Sequence, residues 1–241
     1  MSLYKSPESS SVEVARSGVP VHFLHIRKTG GTALAEALRS IAPRYGIILH
    51  DHQTKLRDIP RDHKVFFFVR NPITRFVSGF YSRLRRGQPR HHYEWNDGET
   101  RAFRTFQKAN DLAEALSSHD PRRFAAAQDA MSSIRHVNST YRDWIEGVAE
   151  LSARIDSVLL IGSQETITED FARLKALLDL PGDIKLPSDD VLAHRTPPEF
   201  DRQLSTLAAE NLAQWYKEDF VFYEHCIRLA RARELSSPPV R

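Results

Sequence analysis

The chain has 241 residues, 41% of them hydrophobic and 27% charged, with a formal net charge of +3 and a pI near 9.0. That is the composition of an ordinary globule; the charge is too small to argue for nucleic acid, and no apolar run approaches the roughly 20 residues that span a bilayer. A single cysteine, Cys226, excludes an internal disulfide and any CxxC metal or redox motif, and suits a reducing cytosol.

Residues 1–18 are polar, lack an apolar signal region and read as a disordered arm. Residues 19–232 read as one domain and 233–241 as a disordered tail. The domain opens on residues 21–38, with a short buried strand centred on residues 22–26. A glycine-bearing turn follows from Arg27 to Thr32, and then Leu34, Leu38 and Ile41 at helical spacing. A strand, a tight turn and an immediate helix make an anion cradle. Backbone N–H groups and the helix N-terminus converge, Gly30 and Gly31 allow close approach, and Lys28 adds a full charge.

Ile47, Ile48 and Leu49 form a second strand ending in His50-Asp-His52. Two histidines at a strand end suit a general base, since imidazole titrates near neutrality. They would suit a metal too, but no third ligand stands at a suggestive spacing, and none is expected. Lys64-Val-Phe-Phe-Phe-Val69, apolar without alternation, predicts a central parallel strand covered on both faces. Arg70-Asn71-Pro72 ends it, with Pro72 placed for a first helical turn. Ile73, Phe76, Val77, Phe80 and Leu84 mark the apolar face of the next helix, with Thr74, Arg75, Ser78, Ser82 and Arg85 opposite. Arg70 and Ser78 are placed to reach a second anion.

From residue 82 to 135 strand signals vanish. Arg83, Arg85, Arg86 and Arg90 cluster with His91 and His92, and short helices are predicted around 112–116 and 124–130. This reads as a helical and loop insertion on the acceptor side, with Arg83, Arg86, His91 and His92 as substrate-binding candidates. Beyond it the pattern predicts a helix over 141–151, a strand over 157–161 ending at Gly162, and a helix capped by Thr168. A loop carries Arg195 and Thr196, and a last long helix runs from 204 toward Tyr223. Asn138-Ser-Thr140 matches a glycosylation sequon, taken as chance without a secretion signal. Strands alternating with helices predict α/β architecture: a P-loop-like three-layer α/β/α fold with a central parallel sheet and the 82–135 insertion.

His25-Ile-Arg-Lys-Thr-Gly-Gly-Thr32 resembles the 5′-phosphosulfate loop of sulfotransferases, and more narrowly the carbohydrate sulfotransferases related to heparan sulfate 2-O-sulfotransferase. Phe68-Val-Arg-Asn-Pro-Ile-Thr-Arg-Phe-Val-Ser-Gly-Phe80 resembles their 3′-phosphate motif, and His50-Asp-His52 their H-x-H. The likeness is close over residues 21–84 and holds only in outline afterwards. Arg27 stands where the family usually has proline, and Asn71 where it has aspartate.

The resemblance implies 3′-phosphoadenosine 5′-phosphosulfate (PAPS) as donor, without metal. It assigns Arg27, Lys28, Thr29, Gly30, Gly31 and Thr32 to the phosphosulfate and Arg70 and Ser78 to the 3′-phosphate. Arg195 and Thr196 fall where relatives close over the nucleotide. Lys28 would stabilise the leaving oxygen, and His52, with His50 in reserve, would take the acceptor's proton. The acceptor would be a glycan, a glycolipid or another hydroxyl compound, and a soluble cytoplasmic enzyme of bacterial type fits the chain.

Two rivals stand beside this reading. A P-loop nucleotide kinase lacks GxxxxGK[ST] here, and no Walker B aspartate is evident. A non-enzymatic polyanion-binding module would use the arginines at 83–90, but aromatic side chains are not interleaved there as stacking platforms.

Overall fold

The computed structural model describes residues 18–191, 197 and 199–236. Its contacts divide the chain into two units: up to Val69 with Tyr141–Pro187 and the stretch from Phe222, and Arg70–Thr140 with Ser188–Val221.

The first unit holds a four-stranded, all-parallel sheet: β1 (Val21–Leu24), β2 (Ile47–Leu49), β3 (Lys64–Val69) and β4 (Val158–Ser163), in the order β2-β1-β3-β4. Alternation along β3 sends Phe66 and Phe68 to one face and Val65, Phe67 and Val69 to the other. On the first face they join Phe23, helix α1 (Gly31–Leu38) through Leu34 and Leu38, and the later helix Ile167–Leu177 through Phe171 and Leu174. On the second face they meet Tyr141, Trp144, Ile145, Leu151, Phe222 and Cys226. The unit is therefore three-layered, and the run of apolar residues without alternation is explained by burial on both faces. β1 is followed on one side by β2 and on the other by β3. The strand order therefore reverses at β1, and the crevice beyond the carboxyl end of β1 is where such sheets bind ligands.

The second unit is helical. It contains α2 (Pro72–Leu84), α3 (Asp97–Thr105), α4 (Ala109–Ala115), α5 (Pro121–Ser133) and, after the short α6 (Val148–Ala153) and α7 (Ile167–Leu177) of the first unit, α8 (Thr206–Trp215). Its core is Phe76, Phe80, Phe103, Phe106, Leu112, Met131 and Leu212. The last helix, α9 (Lys217–Ser236), begins in this unit and continues in the first.

Four expectations change. Residues 141–151 are not one helix: a 3-10 turn at Tyr141–Asp143 and α6 are separated by Gly147 at φ 130°. The expected last helix is two, divided at Tyr216, whose buried hydroxyl donates to Val137 O (2.6 Å). Thr166, not Thr168, precedes α7. The expected tail begins too early. α9 runs to Ser236, and the Arg233 guanidinium donates to the carbonyls of Ile155 and Val158. The arm up to residue 17 and the tail from 237 lie outside the described residues. No helix among the described residues is long and apolar enough to cross a membrane.

Candidate active site

The turn after β1 takes its shape from two left-handed residues, Lys28 (φ 66°) and Gly30 (φ 86°). Gly30 is the residue before α1 and offers no side-chain cap, and the first turn of α1 carries no acidic group. The positive end of the helix dipole is therefore uncompensated by its own residues, and the amides of Gly31 and Thr32 point out of the helix end. Successive N–H groups in such an alternating conformation form an anion nest. Thr29 is buried, and its hydroxyl donates to Ile26 O (2.9 Å), closing the turn. Its side chain is thus a structural clasp.

Close packing explains both glycines. A Cβ on Gly30 would stand 2.6 Å from Ile167 Cδ1, and one on Gly31 would stand 2.2 Å from His25 Cδ2. His25 has little room to give way, because its ring lies against Phe23 (centroids 5.2 Å apart) and His52 (4.0 Å).

His52 follows β2, half-buried, with Nδ1 3.0 Å from His25 O. A carbonyl only accepts, so Nδ1 carries the proton and donates. That fixes the tautomer and leaves the Nε2 lone pair, which meets no partner among the described residues, as the basic site. Burial lowers the His52 pKa most, its bond to His25 raises it, and the Arg27 and Lys28 cations lower it. The ring is consequently neutral at neutral pH. Trp144 Nε1 donates to His52 O (3.0 Å), and Leu56 N donates to Trp144 O (2.8 Å), pinning the segment that carries the histidine.

His50 stands differently. Its Nε2 lies 2.7 Å from His22 Nδ1 and its Nδ1 3.2 Å from Thr54 Oγ1, and His22 Nε2 lies 2.8 Å from His63 Nδ1. Both nitrogens of His50 are engaged in this chain of imidazoles, so it is placed to order the segment and not to take a substrate proton. Burial, then His50 and His63, lowers the His22 pKa to about 4, and burial with His52 lowers His25 to about 3. No group of three or more His, Cys, Asp or Glu side chains is arranged to hold a metal among the described residues.

At the end of β4, Gln164 N donates to Val69 O (2.8 Å), and the Gln164 side chain and Ile167 close on Gly30. Sequence reasoning missed His22, His63, Trp144 and Gln164. His22 lies within β1 and His63 just before β3, and they were legible as paired imidazoles only with the β1–β2 and β1–β3 register in hand.

The remaining candidates lie in the second unit. Arg70 Nε donates to Thr74 Oγ1 (2.9 Å), and Asn71 caps α2, accepting from the amides of Ile73 (2.9 Å) and Thr74 (3.4 Å). A carboxylate is not needed for that cap. Ser78 is half-buried on α2. The expected polar face of α2 is largely inside: Arg75 is 3% exposed and paired with Asp219 (2.9 Å).

Within the arginine cluster, Arg83 and Arg86 are engaged by nearby carboxylates. Arg83 is 3% exposed and bidentate on Glu99, itself 0% exposed, and Arg135 joins them at 3.1 Å. Arg86 pairs with Glu94 (3.1 Å) and stacks over Trp95 (4.5 Å), and His92 also binds Glu94 (2.7 Å). His91 is exposed beside the Tyr93 ring. Arg83 is therefore corrected from a substrate ligand to a buried brace for the loop that follows α2. Arg195 and Thr196 lie outside the described residues.

The profile of the sulfotransferase family matches residues 19–225. No curated protein and no solved structure matches the chain. The match covers most of the chain and includes both units: this protein belongs to the sulfotransferase family.

Proposed function

We propose that the protein transfers the sulfuryl group of PAPS to an acceptor hydroxyl by in-line displacement. The observation that carries the reading is the pairing of an anion nest bearing Lys28 with a histidine whose tautomer leaves Nε2 basic. The donor's phosphosulfate is assigned to the amides of the Lys28–Thr32 turn, to Lys28 and to Arg27. Its 3′-phosphate is assigned to Arg70 and Ser78, on their likeness to the family motif, with Arg195 and Thr196 over the nucleotide on the same ground.

In the step proposed, the acceptor hydroxyl gives its proton to His52 Nε2 while its oxygen bonds to sulfur. The bond from sulfur to the 5′-phosphate oxygen breaks. That oxygen leaves with the electron pair, and Lys28 with the nest amides stabilises the charge. The products are a sulfate ester and 3′-phosphoadenosine 5′-phosphate (PAP). No group in this account calls for a metal. The acceptor is a glycan, a glycolipid or another hydroxyl compound. We place the enzyme in the cytoplasm as a bacterial-type relative of the heparan sulfate 2-O branch, on motif likeness and its single, buried cysteine.

The test is single-turnover conversion of PAPS to PAP over a panel of hydroxyl acceptors, with wild type and His52→Gln. Acceptor-dependent conversion that His52→Gln slows by about 10²–10⁴-fold supports the base. Equal rates in both proteins would remove His52 from that role.

A further inference from the structure

In the second unit, a groove of about 450 Å³ is lined by Leu116, Phe124, Gln128, Asn211, Gln214 and Trp215. Its volume is within the range of small-molecule sites. Two helices supply the walls by simple spacing. Phe124 and Gln128 stand four apart on α5, and Asn211, Gln214 and Trp215 three and four apart on α8, so each set shares a helix face. Leu116 closes the end of α4 between them.

The chemistry of the lining is specific. Trp215 is 39% exposed and Phe124 36%, a large apolar exposure for two rings in one groove. Asn211 Nδ2 donates to Ala113 O and to Ser117 Oγ (both 2.9 Å), which holds the side chain still and leaves Oδ1 as an acceptor. The carboxamides of Gln128 and Gln214 and the indole N–H of Trp215 make no hydrogen bond among the described residues. None of the six lining residues carries a charge.

We propose that this groove binds an uncharged pyranose segment of a glycan. A sugar ring has a flat C–H face that packs on an indole or phenyl ring, and a rim of hydroxyls, each both donor and acceptor. Carboxamides also offer both, so rim and lining are complementary. A nucleotide or other anion would find no cation here. A lipid chain would bury the Gln128 and Gln214 carboxamides without partners, which is costly. Sugar binding at this groove needs no donor and does not rest on the sulfotransferase reading.

The test titrates the full chain with cellotriose and chitotriose, followed by tryptophan fluorescence and calorimetry, without nucleotide. Saturable binding is expected, weakened about tenfold or more in Trp215→Ala, the loss of one well-packed anchor, and less in Gln128→Ala, with circular dichroism and Tm of both variants unchanged. Lys28→Ala is expected to bind the sugars as wild type does. PAP binding, measured separately, reports on the donor reading, so either idea can fail alone. The proposal is overturned if neither sugar saturates, or if Trp215→Ala binds as tightly as wild type. A concentration-dependent dimer in sedimentation that Trp215→Ala dissolves would also overturn it, by giving the groove to a second copy.

Discussion

The turn between β1 and α1 and the loop after α2 both look, in sequence, like places where an anion would bind. Each gathers cations and histidines within a dozen residues. The fold treats them in opposite ways. After α2, Arg83 and Arg135 close on Glu99, and Arg86 and His92 close on Glu94, so the charges brace the loop they stand in. After β1, the helix end carries no acidic residue, two residues adopt left-handed backbone, and His52 keeps Nε2 facing outward from its bond to His25 O. A site is marked by bonding capacity that the fold holds open, and a cluster of charge alone does not mark one.

Several substitutions sharpen that contrast. His52→Ala is expected to lower kcat by about 10²–10⁴-fold with Tm little changed, as the proposed role in taking the acceptor's proton requires. Glu99→Ala should do the reverse. Removing a buried carboxylate from two guanidinium partners leaves uncompensated charge and costs about 3–5 kcal/mol in urea unfolding. Donor binding in the surviving folded protein should remain near wild type. Gly31→Ala should lose about 1–3 kcal/mol by overpacking against His25 and weaken PAP binding as well.

Acid unfolding separates the two regions further. His22 and His25 have pKa values lowered to about 4 and about 3, against 6.5 in an unfolded chain. The unfolded state takes up protons first, so this stability is complete above about pH 6.5 and is lost as pH falls toward 4 for His22 and toward 3 for His25. The Glu99 pKa is held at about 2 by Arg83 and Arg135 against the opposing cost of its burial. Its contribution is complete above about pH 4.5 and lost only toward pH 2. Fluorescence of Trp144, in the sheet unit, should therefore change at higher pH than that of Trp95, in the helical unit. Coincident transitions in single-tryptophan variants would contradict this assignment. The smallest effect belongs to Arg86→Ala, whose pair with Glu94 is exposed and screened by solvent; the urea unfolding midpoint should move least of all these variants.

Much of the sheet unit was legible. β3 read correctly because an apolar run without alternation has few other uses, and the Lys28 turn read correctly because glycines between a strand and a helix are informative. The helix α3 went unread since it is polar, although Asn96 and Glu99 form a capping box three residues apart, a signal present in the sequence. The run 141–151 looked helical by spacing, but Gly147 breaks it at a backbone angle that spacing does not report. The resemblance ranked His52 ahead of His50 by motif position, but the physical difference between the two was not legible in the spacing. It depends on His22 lying opposite Ile48 across the β1–β2 pair, which puts one histidine into a chain of imidazoles and leaves the other basic.

The account turns on the nest at α1 as the donor's anion site, and thermal stabilisation by PAP tests it most directly. At about 100 times its dissociation constant, PAP should add about 2.7 kcal/mol to wild type without added metal. Lys28→Ala should lose most of that gain and Arg86→Ala none of it. Stabilisation by ATP with magnesium alone, or by PAP equally in wild type and Lys28→Ala, would contradict the account.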